Sequence, residues 1–266
     1  MPLAVCATPI GNLEDVTLRV LRELAEADLV LAEDTRHTRV LLERHGIKAR
    51  VESYHRHNEA RKTASVLPRL EAGERVALVS DAGLPGVNDP GARLVSAAIA
   101  AGVPVTVLPG ASAVATALVA SGLVGERYQF LGYLPRGEGQ LSALWEELAR
   151  WPWPAVAFES PQRLPGSLAS LAAAQPERPV AVCRELTKRF EEIVRGTARE
   201  VAGRFSRPPK GEITVVLGQA LAAAPVDDAA SAVSELVEAG IPRRQAAVLV
   251  ARLTGGSKNA LYRGSL

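Results

Sequence analysis

Four short segments carry the residue types that a ligand site needs. They are Ala7-Thr8-Pro9-Ile10-Gly11-Asn12, the run SDAGLPGVNDPG from Ser80 to Gly91, Pro109-Gly110-Ala111-Ser112-Ala113, and Glu159-Ser160-Pro161. The second places four glycine or alanine positions and two prolines within twelve residues. Glycine allows positive φ and close backbone approach to a ligand, and proline stiffens the loop that makes the approach. In the third, the free N–H groups of a helix start, with Ser112 as hydroxyl donor, suit a carboxylate or a ribose. Each segment follows a strand-like run, and open α/β sheets bind ligands beyond the carboxyl ends of their strands. Any one of these loops could be a tight connection; four at strand ends point to a site.

A second concentration of chemistry lies in residues 36–62. All four histidines fall there (His37, His45, His55, His57), with eight Lys or Arg against three Glu. That is an excess of five in a chain whose net charge is +2. A local basic patch is what phosphate-backbone binding needs, and overall charge can hide it. The same composition also describes two solvated helices. Trp145, Trp151 and Trp153 are expected in the core or between domains, around Pro152 and Pro154, rather than as base-stacking groups. No GxGxxG follows the first strand, no GxxxxGK[ST] occurs, and Cys and His lack metal-ligand spacing, so dinucleotide, phosphate-loop and zinc chemistry are not expected.

The elements that must position these loops follow from the hydrophobic pattern. Strands are expected at Leu3–Ala7, Leu29–Ala32, Val76–Ser80, Val103–Leu108, Tyr128–Gly132, Ala155–Glu159, Val180–Arg184, Glu192–Gly196 and Glu212–Gly218. Helical period covers Leu18–Ala27, Arg93–Ala101 and Leu141–Arg150 among others. This alternation predicts an α/β protein with parallel or mixed sheets covered by helices. The short connection inside VCRELTKRFEEIVRG predicts an antiparallel hairpin. Two α/β domains are expected, residues 1–122 and 123–220. Beyond an Ala-rich linker, residues 226–266 read as a small helical appendage. There Asp227 or Asp228 caps a helix to Glu238, Pro242 opens another through Leu253, and Gly255-Gly256 breaks it before Ser257–Tyr262.

Composition agrees with an ordinary folded enzyme. Hydrophobic residues make up 47% and charged ones 23%, which excludes disordered and fibrous classes. Aromatics are only 4%, so the core must rest on Ala, Val and Leu. Cys6 and Cys183 sit in apolar runs and read as small buried hydrophobes in a reducing compartment. The chain starts without a basic leader and holds no run approaching eighteen apolar residues, so a cytoplasmic protein without a membrane partner is expected.

A resemblance makes these expectations more specific. ATPIGNLEDVTLR (7–19), AEDTRHTRVLL (32–42), YHRHNE (54–59), VALVSDAGLPGVNDPG (76–91), PGASAV (109–114), ESPQRL (159–164), RELTKRFEE (184–192) and KGE (210–212) occur in that order. Together they resemble the bacterial small-subunit ribosomal RNA 2′-O-methyltransferase I family of the tetrapyrrole-methylase superfamily. The likeness runs from about residue 3 to 218, and SKNALY (257–262) is similar to that family's C-terminal extension. The resemblance implies the two-domain tetrapyrrole-methylase fold, a homodimer, and S-adenosylmethionine in the cleft between the domains. It implies methyl transfer to a cytidine 2′-oxygen in the decoding region of 16S ribosomal RNA, with no metal. By position, Pro9, Asp81, Ala82, Gly83, Leu84, Ser112 and Ala113 would contact the cofactor, with Phe158 and Glu212 from the second domain. Arg36, Arg39, Arg56 and Arg61 would bind RNA.

The 2′-hydroxyl is a weak acid, so in-line attack on the sulfonium methyl benefits from a proton acceptor. Asp34, His55, His57 and Glu59 are the candidates. Asp34 suits a helix cap equally well, either histidine suits phosphate binding, and water can take the proton if alignment suffices. The family usually has Thr at Leu84, Ser at Asn88 and His at Gln162. Leu84 lacks a hydroxyl contact, and Gln162 cannot act as a base. Two rival functions stand beside this one. The first is a methylase of the same fold acting on a tetrapyrrole or protein side chain, against which stand the basic segment and the helical tail. The second is a non-catalytic ribosome assembly factor, which the intact cofactor loops disfavour.

Overall fold

The computed structural model describes residues 2–220, 226–254 and 256–265. Leu3–Cys6 (β1), Leu29–Ala32 (β2) and Val76–Val79 (β4) are continuous apolar runs, buried at every position. Runs of that kind belong to strands covered on both faces. With Val51–Ser53 (β3) and Val105–Leu108 (β5) they form a parallel sheet in the order β3-β2-β4-β1-β5. Helices Leu18–Glu26 (α1) and Thr35–Arg44 (α2) bury Val20, Leu24, Leu41 and Leu42 on one face, with Ala4, Val30 and Ala77. Helices Glu59–Glu71 (α3) and Ala92–Ala100 (α4) bury Val66, Leu70, Leu94 and Ala98 on the other, with Leu3, Leu31 and Leu78. Because every strand runs the same way, all of its carboxyl ends open on one edge.

The second sheet has the order β6-β7-β10-β8-β9, from Gln129–Tyr133 (β6), Ala155–Glu159 (β7), Pro179–Arg184 (β8), Glu192–Thr197 (β9) and Ile213–Leu217 (β10). Only β6 and β7 are parallel; the other neighbours are antiparallel, including the expected β8–β9 hairpin. Glu138–Ala149 (α6), Leu164–Ala174 (α7) and Ala198–Arg204 (α8) cover one face around Trp145, Leu168 and Val201. Trp145 is thus a core residue, as expected, and its indole N–H donates to Ser170. The opposite face receives Ala113–Ser121 (α5), which follows β5 of the first sheet. Val114, Ala117 and Leu118 pack there with Val156, Ala181, Cys183 and Val216. Gly122, at φ 74°, ends α5.

Most expected elements lie where the sequence placed them, with differences that have local causes. β3 was not expected: its VES sequence is half-buried at the sheet edge, so it shows neither an apolar run nor an alternation. β5 starts at Val105 rather than Val103, because Pro104 has no N–H and Val103 N instead closes the end of α4 on Ala98 O. In the tail, Val226–Glu238 (α9), Arg243–Thr254 (α10) and Lys258–Gly264 (α11) enclose Ala229, Val233, Ala246, Ala247, Val250 and Leu261. α9 spans Val226–Glu238, so Asp227 and Asp228 fall inside its bounds rather than before them. The proposed break at Gly255 lies outside the described residues. The four acids of the tail all stand on α9, and its five basic residues all stand on α10 and α11. Among the described residues, no helix is long and apolar enough to cross a membrane.

Both cysteines are buried and free, and burial pushes their thiols up, Cys6 to about 12 and Cys183 to about 11. Neither is poised to react. Ala117 is fully buried where α5 meets the second sheet, and its carbonyl lies 3.8 Å from Cys183 Sγ. Ala117→Leu should therefore overpack this contact and lower stability by about 1–3 kcal/mol, seen as a lower urea midpoint at unchanged slope.

Candidate functional site

The loops at the carboxyl edge of the first sheet hold one another in place. Thr8 and Gly83 form an isolated antiparallel bridge, with Thr8 N donating to Gly83 O at 2.8 Å and Gly83 N to Thr8 O at 3.0 Å. The Thr8 hydroxyl, itself buried, donates to Ser80 O at 3.0 Å. Gly83 adopts φ +78°, which a side chain would resist. A Cβ on Gly110 would lie 2.9 Å from that of Ala7, so the third loop can sit against the first only with glycine there. Pro9 is buried beside this bridge. Ser112 caps α5, accepting from Ala115 N at 3.4 Å.

The second sheet supplies the facing wall. Phe158 makes edge-on contacts with Phe130 and Tyr133, at ring-centre distances of 5.1 and 5.6 Å. Phe158, Ala82, Ala111 and Ala113 rest against the same buried cluster, built from Ile10, α5 and the second sheet. Most of the residues expected to hold a cofactor are thus gathered around one joint. Glu212 stands apart: it is exposed and pairs with Lys188 at 3.0 Å. Asn88, at φ 66°, brings its side-chain oxygen to 3.2 Å from where a Cβ on Gly132 would be. Gln162 is exposed in the turn after β7. There Arg163 pairs with the fully buried Glu159 and donates to Leu134 O at 3.1 Å and Pro135 O at 3.2 Å.

Three carboxylates crowd the edge beside β2 and β4. Asp81 accepts from Asp34 N at 2.9 Å and faces His37 Nδ1 at 3.5 Å. Burial, and then the charge of Asp81, raise the Glu33 carboxyl above its usual range. Asp89 is raised to about 6, first by burial and then by Glu33, with Asp81 contributing. Glu33 and Asp89 were not singled out from the sequence, although they lie in the AEDTRH and NDPG runs; their interaction needs the edge of the sheet to bring the two runs together.

The four expected proton acceptors fare differently. Asp34 caps α2 and is bound by the Arg36 side chain, which holds its carboxyl far below the usual range. Glu59 faces Arg93 at 3.5 Å. His57 is exposed, with its ring 6.0 Å from that of His55. His55 Nδ1 is buried and has no hydrogen-bond partner among the described residues. Arg36, Arg39, Arg56 and Arg61 are all exposed. They do not form one flat patch, because α2 and α3 cover opposite faces of the sheet; Arg36 and Arg61 stand near the helix starts and Arg56 in the turn before α3, so the group rims the carboxyl edge.

Asp89→Asn removes a carboxyl that holds its proton more tightly in the folded chain than in the unfolded one. Its ionisation costs stability above about pH 6, and the cost fades as pH falls toward the ordinary aspartate range. The variant should melt above the parent at about pH 8 and no higher than it at about pH 4. The same difference at both pH values would remove ionisation as the cause.

Comparison with known proteins places this arrangement. The profile of the family "Tetrapyrrole (Corrin/Porphyrin) Methylases" matches residues 2–202. A protein from Mesorhizobium japonicum named ribosomal RNA small subunit methyltransferase I is 46% identical over 264 residues, covering 98% of this chain and 90% of its own length. One of the same name from Micromonospora olivasterospora is 42% identical, covering 98% and 85%. Among solved structures, a Thermus thermophilus uroporphyrin-III C-methyltransferase in complex with S-adenosylhomocysteine superposes with a TM-score of 0.57. It is 22% identical and covers 82% of this chain and 97% of that one, and it shows that the two share a fold.

Proposed function

We propose that this chain, which belongs to the tetrapyrrole (corrin/porphyrin) methylase family and within it to the ribosomal RNA small subunit methyltransferase I family, methylates a ribose 2′-hydroxyl of a cytidine in the decoding region of 16S ribosomal RNA. The observation that carries the reading is the convergence of the Ala82–Leu84 turn, the start of α5 and Phe158 on one joint between two sheets. That joint fits S-adenosylmethionine: Gly83 and Gly110 let backbone approach a ligand, the Ser112 cap offers a helix start to a carboxylate or ribose, and Phe158 offers an apolar face. When bound, the cofactor supplies a methyl group already activated on sulfonium. Pro9, Asp81, Ala82, Gly83, Leu84, Ser112, Ala113 and Phe158 hold it, with Glu212 at the far edge. The lobes divide into residues 1–122 and 123–220, with the helices of 226–266 appended, and the enzyme works in the cytoplasm as a homodimer.

Charge supports an RNA substrate. Glu33, Asp81 and Asp89 make the floor acidic, and Arg36, Arg39, Arg56 and Arg61 make the rim basic. A phosphate is attracted to the rim and repelled from the floor, which leaves the uncharged sugar hydroxyl to enter. Asp89, with its raised carboxyl, is the group that takes the 2′-proton.

The test is transfer of labelled methyl to small subunits, free ribosomal RNA and total protein. Label is expected in RNA as 2′-O-methylcytidine. Recovery only in protein or in a small molecule would favour a methylase of the same fold with a different substrate. In single turnovers the rate should rise with pH through about 6, and Asp89→Asn should flatten that rise if Asp89 is the acceptor.

Reversing the charge of Arg36, Arg39, Arg56 and Arg61 should weaken subunit binding and flatten its salt dependence, because fewer counterions are released. Affinity for S-adenosylhomocysteine should be unchanged. A salt slope equal to the parent's would reduce the rim to a solvated surface.

A further inference from the structure

The turn between β8 and β9 is built with more constraint than a hairpin needs. Arg184 pairs with Glu192 at the end of the ladder, and residues 185–191 close it. Glu185 and Thr187 adopt φ values of 52° and 64°, a left-handed backbone that residues with side chains resist. A dense set of bonds imposes it. Glu185 N donates to Glu212 O and Glu212 N donates back to the Glu185 carboxylate, at 3.0 and 2.9 Å. Lys188 Nζ sits between Glu185 and Glu212, at 2.9 and 3.0 Å. Thr187 N donates to Glu191 at 2.6 Å, and the Thr187 hydroxyl accepts from Asn12 N of the first sheet's loop at 2.9 Å. The seat is tight, since a Cβ on Gly11 would lie 2.5 Å from Lys188 Cγ.

All this rigidity leaves two residues out of the network. Phe190 is 65% exposed, while the chain's three other phenylalanines are buried or half-buried in its cores. The Arg189 guanidinium lies 5.5 Å from the Phe190 ring centre and has no carboxylate partner among the described residues. Beside them is a groove of about 570 Å³ between this turn and residues 11–14, in which Glu14 offsets Arg44, Glu185 and Glu212 hold Lys188, and Arg189 is left as the uncompensated cation. Arg44 pairs with Glu14 at 3.6 Å and ends α2, the helix that carries Arg36 and Arg39.

A held aromatic face and an unpaired guanidinium beside an open groove suit a partner that alternates flat rings with negative charges. We propose that Arg189 and Phe190 form a stacking platform for an unpaired base of the RNA substrate, with an adjoining phosphate against Arg189 at the mouth of the groove. This rests on the RNA reading above and adds a place where the strand is held. Because the turn is already ordered, binding a base there costs little further ordering of the protein.

The test compares the parent, Phe190→Ala and Phe190→Trp in the full chain. Binding is read by anisotropy of a labelled single-stranded oligocytidylate and of the same sugar-phosphate chain without bases. Phe190→Ala should weaken oligocytidylate binding roughly 5- to 100-fold, the worth of one stacked base, and Phe190→Trp should restore it. The salt slope, the affinity for the abasic chain and the affinity for S-adenosylhomocysteine should not change, since no charge is removed. Oligocytidylate affinity equal to the parent's, or equal losses for both probes, would overturn the platform alone. An altered oligomeric state with unchanged oligonucleotide affinity would make this face an interface with a second copy. A parent that binds neither probe and methylates no RNA would overturn the RNA reading as well.

Discussion

The packing of α5 against the second sheet is the contact on which the site depends. The helix begins at the Ser112 cap among the loops of the first sheet, and within two turns it has buried Val114, Ala117 and Leu118 against β7, β8 and β10. A nine-residue helix therefore sets the distance between the Ala82–Leu84 turn and Phe158. Small residues make this possible: Ala117 and Ala181 leave no room between helix and sheet, and Ile10 fills the corner where the first loop meets them. Hydrophobic burial is not directional, but here it is applied next to a helix start whose N–H groups are, and the two together align the site.

A second constraint is the way the loops lock. The Thr8–Gly83 bridge joins the loop after β1 to the loop after β4 without extending the sheet. Asn88 reaches Gly132 on the second sheet, and Asn12 reaches Thr187. Two loops of the first sheet are thus bridged to each other by backbone, and each makes a side-chain contact with the second sheet's residues.

Much of this was legible in the sequence. Leu29–Ala32 and Ala155–Glu159 were placed to the residue, and the β8–β9 hairpin was visible in its short connection, because buried strands write themselves as apolar runs. The loops were visible through glycine and proline. What could not be read depended on the third dimension. Glu33 and Asp89 are 56 positions apart, and their mutual effect arises only at the sheet edge. The basic segment looked like one patch, yet right-handed crossovers send α2 and α3 to opposite faces, so its arginines become a rim. The left-handed Glu185 and Thr187 gave no signal at all, since neither residue type announces such a backbone.

The helical tail has a property that its near-neutral total conceals. Its acids stand on α9 and its bases on α10 and α11, around a small core of its own. Such a unit is an electric dipole, and a dipole in an uneven field feels a torque even when its net charge is small. In the field of a polyanion such a separation of charge favours the arrangement with α10 and α11 nearer to it than α9.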